Sequence, residues 1–274
     1  MPIITISKRT YDRSEEIAER VAQIMGYECI GREVFVSASH EFDIPEEKLY
    51  DAILGSPSLL GMSPTKRKRY IAYVQAAVAE YMLKDNVVYY GPAGHLLIQG
   101  VSHVLRVRII ADLEDRIALK MKMEKVSEKE ARKSILHDDE QRRKWVQTVY
   151  GKDVTDPSLY DLVINIGQIT VDQAVDIITR TVKSRKFQPM TYSTNLMKNI
   201  ELSCRVRAHL IDIDPEIRVR SENGNVHVYA KASGRARKKH AEIINERAMK
   251  LPGVKSVEVH MSEDMFERIA GEMR

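Results

Sequence analysis

The chain reads as an α/β protein: a mostly parallel sheet with helices on both faces, followed by a small α+β unit. Three observations carry this reading. Over residues 3–185, short apolar strands alternate with long amphipathic helices, the pattern of a parallel sheet. The alternation stops at a polar, Pro-containing stretch, Lys183-Ser-Arg-Lys-Phe-Gln-Pro-Met-Thr-Tyr-Ser-Thr194, which reads as a linker. Beyond it, two alternating strands flank Asn223-Gly224, a strong hairpin signal.

The elements follow in order. Ile3-Ile-Thr-Ile-Ser7 is a strand, and Ile17, Val21 and Ile24 mark one face of the helix after it. A strand, a polar turn and a helix make the layout of a phosphate-binding loop, where glycines let backbone N–H groups close around phosphate. Here the turn contains no glycine: Lys8, Arg9 and Thr10 lead into Tyr11, Asp12, Arg13 and Ser14. Glu28-Cys-Ile30 is a short strand, and residues 46–54 and 64–84 are helical. Pro64 opens the second helix, and Ile71, Val74, Val78 and Met82 form its buried stripe. Val87–Tyr90 is a strand ending in Gly91-Pro-Ala-Gly94, with helical turns over 94–99. Residues 103–111 form a strand, and 112–124 and 127–149 form helices, the second opened by a Ser127/Glu130 capping box. Tyr160–Asn165 is a strand and 170–185 a closing helix.

Past the linker come a helix (196–210), strands (216–221 and 225–231), a helix (235–250), a strand (254–260) and a terminal helix (262–273). The expected division is 1–185, a linker at 186–194, and 195–274. Ligands of open α/β sheets lie beyond the carboxyl ends of the strands. That puts the candidate site at residues 7–15, 29–32, 91–95 and 111–116.

Composition narrows the class. The 274 residues include two cysteines, Cys29 and Cys204, far apart and outside any CxxC or Cys/His cluster. A disulfide framework or a structural zinc site built on them is not expected, and a reducing cytoplasm is. The N-terminus enters a strand directly, so no signal peptide is expected. No apolar run approaches the roughly 20 residues of a membrane span. The net charge of +4 resides in residues 186–274, which favours an anionic partner there.

Several separated segments together resemble the cytidylate kinase-like family of P-loop nucleoside monophosphate kinases. The opening Ile4-Thr-Ile-Ser7 is similar to that family's first strand, and Val107-Arg-Ile-Ile-Ala-Asp-Leu-Glu-Asp-Arg-Ile117 to a later strand with its Arg-bearing helix. The run from Val126-Ser-Glu-Lys-Glu-Ala-Arg132 through Asp138, Arg142 and Gly151-Lys-Asp153 to Asp156–Asn165 is similar to its lid and last strand. The resemblance implies an ATP- and Mg²⁺-dependent kinase fold, with Arg116, Arg132, Arg142 and Arg143 facing phosphate and Asp138 orienting one of them.

The departures fall where the chemistry would be. The family turn carries Gly-Ser-Gly-Gly and then a polar or basic residue; here those places hold Tyr11, Asp12, Arg13, Ser14 and Glu15. A side chain where φ is positive is strained, and a carboxylate repels phosphate. Lys8, Arg9 and Arg13 are the side chains that could replace the lost cradle, with Lys8 and Arg13 the candidate catalytic cations. Pro92 and Ala93 stand where the family has Arg-Gly on the acceptor side, and Gly31 replaces an aspartate, leaving Arg32.

Residues 195–262 resemble the BON domain, a small bacterial module that binds phospholipid surfaces, other ligands or proteins. They share its α-β-β-α-β order, the Asn-Gly hairpin and the Leu251-Pro-Gly-Val-Lys-Ser-Val-Glu-Val259 ending; Ala230-Lys-Ala-Ser233 lacks the usual glycine. Arg235, Arg237, Lys238 and Lys239 form the densest basic run, a candidate surface for an anionic membrane or acidic partner, the alternative being a solvated helix turn. No interleaved aromatics support base stacking, so nucleic acid is not an expected ligand. Adjacent His137-Asp138-Asp139-Glu140 do not share a helix face, and no metal site is expected.

Three readings remain. The first is a regulatory or ligand-sensing pseudo-kinase with a degraded phosphate loop, cytoplasmic and peripheral to the inner membrane through its BON-like unit. The second is an active (d)CMP kinase with a remodelled loop. The third is an interaction protein that binds no nucleotide.

Overall fold

The computed structural model describes residues 2–7, 10–54, 62–231 and 236–262. Its main body alternates strand and helix: β1 (Ile3–Ser7), α1 (Ser14–Met25), β2 (Glu28–Ile30), α2 (Glu33–Phe42), α3 (Glu46–Leu54), α4 (Pro64–Leu83) and β3 (Val87–Gly91). There follow α5 (Gly94–Leu97), β4 (Val104–Ala111), α6 (Leu113–Glu124), α7 (Glu128–Tyr150), β5 (Leu162–Ile166) and α8 (Val171–Val182). The five strands form one parallel sheet in the order β2-β3-β1-β4-β5.

Central strands of such a sheet are covered on both faces and read as continuous apolar runs. Ile3, Ile4 and Ile6 are fully buried and point alternately into two cores. One core packs α2, α3, α4 and the end of α7, where Trp145 and Val146 are buried. The other packs α1 and α8, the latter through Val171, Ala174, Val175, Ile178 and Val182. The expected stripe of α4 is buried throughout. Capping boxes open α7 (Ser127/Glu130) and α8 (Thr170/Gln173).

Helix α2 has no counterpart in the sequence reading. Its buried face is short (Val34, Phe35 and Ala38), and Val36 faces solvent, so the helical period is blurred by β-branched and Ser residues.

Residues 184–190 are partly packed. A 3₁₀ turn at Arg185–Phe187 buries Phe187 in the α1/α8 core. Helix α9 (Thr191–Leu210) starts five residues earlier than expected. Its Ser193 Oγ lies 2.8 Å from Nδ1 of buried His103, just before β4. Tertiary packing against α4 overrides the weak helix propensity of Thr191–Thr194.

Helix α9 leads into β6 (Arg218–Glu222), β7 (Asn225–Lys231), α10 (Ala236–Met249) and β8 (Ser256–Ser262). These strands form a second sheet in which β6 and β7 are antiparallel and β7 and β8 parallel. Asn223 and Gly224 both have positive φ (53° and 91°), as a tight hairpin turn requires. The core of this unit is built on Val206, Leu210, Ile217, Val226, Val228, Ile244 and Ala248. The expected terminal helix lies outside the described residues.

The α4–α9 seam carries a half-buried cation. Arg207 Nη1 donates to Gln75 Oε1 (2.9 Å) and its Nε to the Ile217 carbonyl (3.2 Å), while Gln75 Nε2 donates to the Tyr150 hydroxyl (2.9 Å). Burial lowers the Arg207 pKa and pushes the Tyr150 phenol up to about 12. Arg207→Met keeps much of the volume but leaves two partly buried acceptors, Gln75 Oε1 and the Ile217 carbonyl, without their donor. It is expected to lower the unfolding free energy in a denaturant titration by about 1–3 kcal/mol.

Candidate functional site

The carboxyl ends of β1, β3 and β4 meet at the turn before α1. Tyr11 (φ 59°) and Arg13 (φ 60°) are both left-handed. So is Ala93 (φ 54°), which precedes α5. All three stand where the family resemblance implies glycine. The chain holds the glycine path with side chains attached, at a cost of about 1–2 kcal/mol per residue.

Tertiary contacts hold that path. The Tyr11 hydroxyl donates to Glu124 on α6, and Lys120 Nζ lies 4.7 Å from the centre of its ring. Tyr11 also packs on Ile117, Ala131 and Ile135 from α6 and α7. Arg116, only 2% exposed, donates from Nε to the Thr10 carbonyl (2.9 Å) and from Nη2 to Thr10 Oγ1 (3.1 Å). The same guanidinium grips both oxygens of Asp139 on α7 (2.7 and 3.0 Å).

Asp12 turns inward and is 1% exposed. Its Oδ1 accepts from the Ser14 backbone N–H (3.1 Å) and from Ser14 Oγ (2.5 Å). Ser14 also bonds the Tyr90 phenol, whose pKa burial drives well above its ordinary value. A backbone N–H at a helix start is a natural anion donor, and here a carboxylate of the chain itself takes it.

The expected site residues divide accordingly. Lys8, Arg9 and Arg235 lie outside the described residues. Arg13 is half exposed and pairs with Glu16 on its own helix (2.8 Å). Arg32 is exposed and pairs with Glu46 (2.5 Å). Arg132 pairs with Glu114 and Glu128, and Arg143 with Glu140, all toward solvent. Asp139, rather than Asp138, orients Arg116; the Asp138 carboxyl is half-buried and raised chiefly by desolvation. Arg237 donates to the Met261 carbonyl, while Lys238 and Lys239 are exposed on α10.

Arg142 reaches the strand ends, donating to Ser7 Oγ (3.0 Å). With Ser7, Arg108, Arg143, Asp139 and Thr155 it lines a cavity of about 300 Å³. Arg108 comes from β4 and is held by the Val154 carbonyl. A second cavity, of about 950 Å³, opens beside β3. Its walls carry Glu15, Glu46, Glu47 and Asp51 against Arg32, with Phe35, Tyr50 and Tyr90 as aromatic surface.

His95, on α5, falls within the expected 91–95 segment but is not singled out by the sequence, because an isolated histidine in a short helix carries no motif. It is 3% exposed and lies against Tyr160 with the rings tilted (centres 4.6 Å apart, 38° between planes), and its Nε2 has no hydrogen-bond partner. Burial first, then Arg142, Arg106 and Arg108, push its pKa down from 6.5 to about 3. Gly91 and Gly94 are required by space rather than by phosphate: a Cβ at either would lie 2.3–2.4 Å from the buried Tyr89 side chain.

A parallel sheet in this order, with arginines of β4 and α7 at its carboxyl mouth, places the protein among the P-loop kinase-like α/β proteins. The chain belongs to the cytidylate kinase-like family, whose model matches residues 3–168. The fold is similar to that of an uncharacterized protein from Eubacterium ventriosum (18% identity, 68% of this chain and 100% of that one, TM-score 0.51). Shikimate kinase from Bacteroides thetaiotaomicron is a more distant match (10% identity, 67% and 99% coverage, TM-score 0.43). A stretch of 105 residues is 30% identical to uronate isomerase from Corynebacterium glutamicum; it spans 38% of this chain and 20% of that protein's length. No helix among the described residues is long and apolar enough to cross a membrane.

Arg13→Gly and Ala93→Gly relieve left-handed strain but add unfolded-chain entropy. Each is expected to raise stability by up to about 1 kcal/mol, measured by denaturant midpoints. His95 is neutral in the folded chain and protonates in the unfolded one below its ordinary value of 6.5. Stability is therefore complete above pH 6.5 and falls towards pH 3, by up to about 1.4 kcal/mol per pH unit. His95→Phe keeps the ring and is expected to flatten that slope relative to the parent chain.

Proposed function

We propose that this protein is a kinase-fold sensor of a nucleotide or another anion that does not transfer phosphate. The observation that carries the reading is Asp12, whose buried carboxylate takes the Ser14 N–H at the start of α1. Phosphoryl transfer is positioning and charge neutralisation. An ionised carboxylate at that place repels a phosphate, and in either protonation state Asp12 Oδ1 already occupies the Ser14 N–H that a phosphate would need. The turn is a phosphate loop whose anion place is filled from within.

Two further features support this. Arg116 is committed to Thr10 and Asp139, so it cannot reach a γ-phosphate without breaking a buried pair. The larger cavity, on the side where the family takes its acceptor monophosphate, is dominated by carboxylates. What the site offers an anion is the smaller cavity, where Arg108, Arg142 and Arg143 outnumber Asp139 and Glu140 and where Arg143 would have to exchange its Glu140 partner for the ligand. Arginine suits such a role through its planar, multi-donor head.

The C-terminal unit, with its α9-β6-β7-α10-β8 order, is in this reading a BON-like module. It links the sensor to a phospholipid surface or protein partner, with Arg237, Lys238 and Lys239 as its cationic side. The second reading, a working (d)CMP kinase, draws support from the arginines at the smaller cavity. In that case Lys8 or Arg13 would supply the missing phosphate contacts, and ATP with Mg²⁺ would be the donor.

The purified chain with ATP, Mg²⁺ and CMP or dCMP is expected to form no nucleoside diphosphate above a protein-free control. Turnover at the roughly 1–100 s⁻¹ of ordinary kinases, abolished by Lys8→Ala or Arg13→Ala, would establish the second reading instead. The variant Y11G/D12S/R13G/S14G reinstates the family turn. It should bind ATP at least about tenfold more tightly than the parent, since removing 1.4 kcal/mol of repulsion already gives that factor. Equal affinities would remove Asp12 as the occluding group.

A further inference from the structure

The open face of the second sheet brings two imidazoles and a carboxylate together. His227 lies on β7, and Glu258 and His260 on β8. The parallel register sets His227 beside Glu258 and Tyr229 beside His260. Alternation along the strands puts these side chains on one face, while Val226, Val228 and Ala230 turn into the core.

The ligand-type atoms converge. His227 Nδ1 lies 3.2 Å from Glu258 Oε2 and 3.4 Å from His260 Nε2, and His260 Nε2 lies 3.6 Å from Glu258 Oε1. For ligands about 2.0–2.1 Å from a tetrahedral zinc-type ion, the edge of the tetrahedron is about 3.3–3.4 Å. The two imidazole nitrogens stand at that separation, the glutamate approaches each of them with a different oxygen, and one ligand atom from each residue lies within 4.8 Å of the others. An imidazole pair and a His–Glu contact could each arise alone, but here all three donors crowd one point. Tyr229 stacks on His260 (4.7 Å, 13°), which sets the orientation of that ring.

We propose that His227, Glu258 and His260 form a binding site for a divalent transition metal of the Zn²⁺, Co²⁺ or Ni²⁺ class. Imidazole nitrogens suit these ions, whereas Mg²⁺ and Ca²⁺ take oxygen ligands. Three protein donors on a half-exposed face leave coordination positions for water or an incoming ligand. Arg220, opposite His227 in the antiparallel register, adds positive charge to the face, and the Glu258 carboxylate offsets it. The site is independent of the strand-end cavities of the first sheet and of the reading given to them.

The test uses the full chain stripped of metal with a chelator, titrated with Zn²⁺ by calorimetry and with Co²⁺ by visible absorption. One equivalent is expected to bind, with ligand-field bands in the Co²⁺ complex. His227→Ala, His260→Ala and Glu258→Gln should each weaken binding by at least about tenfold, a loss that even outer-shell changes can cause. His40→Ala, an exposed histidine on α2, should leave it unchanged. Glu258→Gln is nearly isosteric and carries the test if either histidine variant misfolds. Absence of saturable binding to the parent chain, or equal affinity in the parent and Glu258→Gln, overturns the proposal.

Discussion

The grip of Arg116 on Thr10 and Asp139 is the interaction on which the mouth of the sheet depends. A guanidinium that is 2% exposed is tolerable only because its donors are satisfied, and removing one partner of such a pair typically costs about 3–5 kcal/mol. That one side chain ties the turn after β1 to α6 and α7. With the turn fixed there, Tyr11 is carried onto the small cluster of Ile117, Ala131 and Ile135. Asp12 is carried inward to Ser14. The left-handed residues are thus specified by contacts far away in sequence rather than by their own preference.

This arrangement separates shape from chemistry. A glycine turn leaves its amides open to a ligand, and its flexibility is part of its use. Here the same path is populated by residues that anchor it and by a carboxylate that satisfies it internally. The arginines of α7 follow a similar logic: Arg132 and Arg143 are paired with neighbouring glutamates at the surface. Arg142 and Arg108 instead reach the strand ends, where burial and their combined charge keep His95 neutral.

Much of the fold was legible in the sequence because its signals are local. The capping box at Ser127, Pro64 at the start of α4 and Asn223-Gly224 each specify one conformation. The stripe Ile71–Met82 and the apolar run of β1 specify burial. Helix α2 and the early start of α9 were not legible, because their stability comes from packing on α4 and from Ser193 meeting His103, contacts no local window contains. The candidate site was legible as a list of residues but not as a set of partners. Charged side chains in a sequence do not announce whether a carboxylate lies within reach. So Asp139 rather than Asp138 took Arg116, and His95 carried no motif.

The second sheet has a consequence for how the chain folds. The hairpin of β6 and β7 closes through a two-residue turn, whereas β8 joins β7 only after the chain has crossed α10. Parallel, non-local pairing is the slower event, because a longer loop must be closed before contacts offset the lost freedom. The turn at Gly224 receives the incoming segment directly: its carbonyl accepts from Lys255 N–H at 2.8 Å, just before β8 begins. His227 belongs to the hairpin, whereas Glu258 and His260 belong to the strand that follows the crossover. The cluster of His227, Glu258 and His260 is therefore complete only when both the hairpin and the strand beyond the crossover are in place.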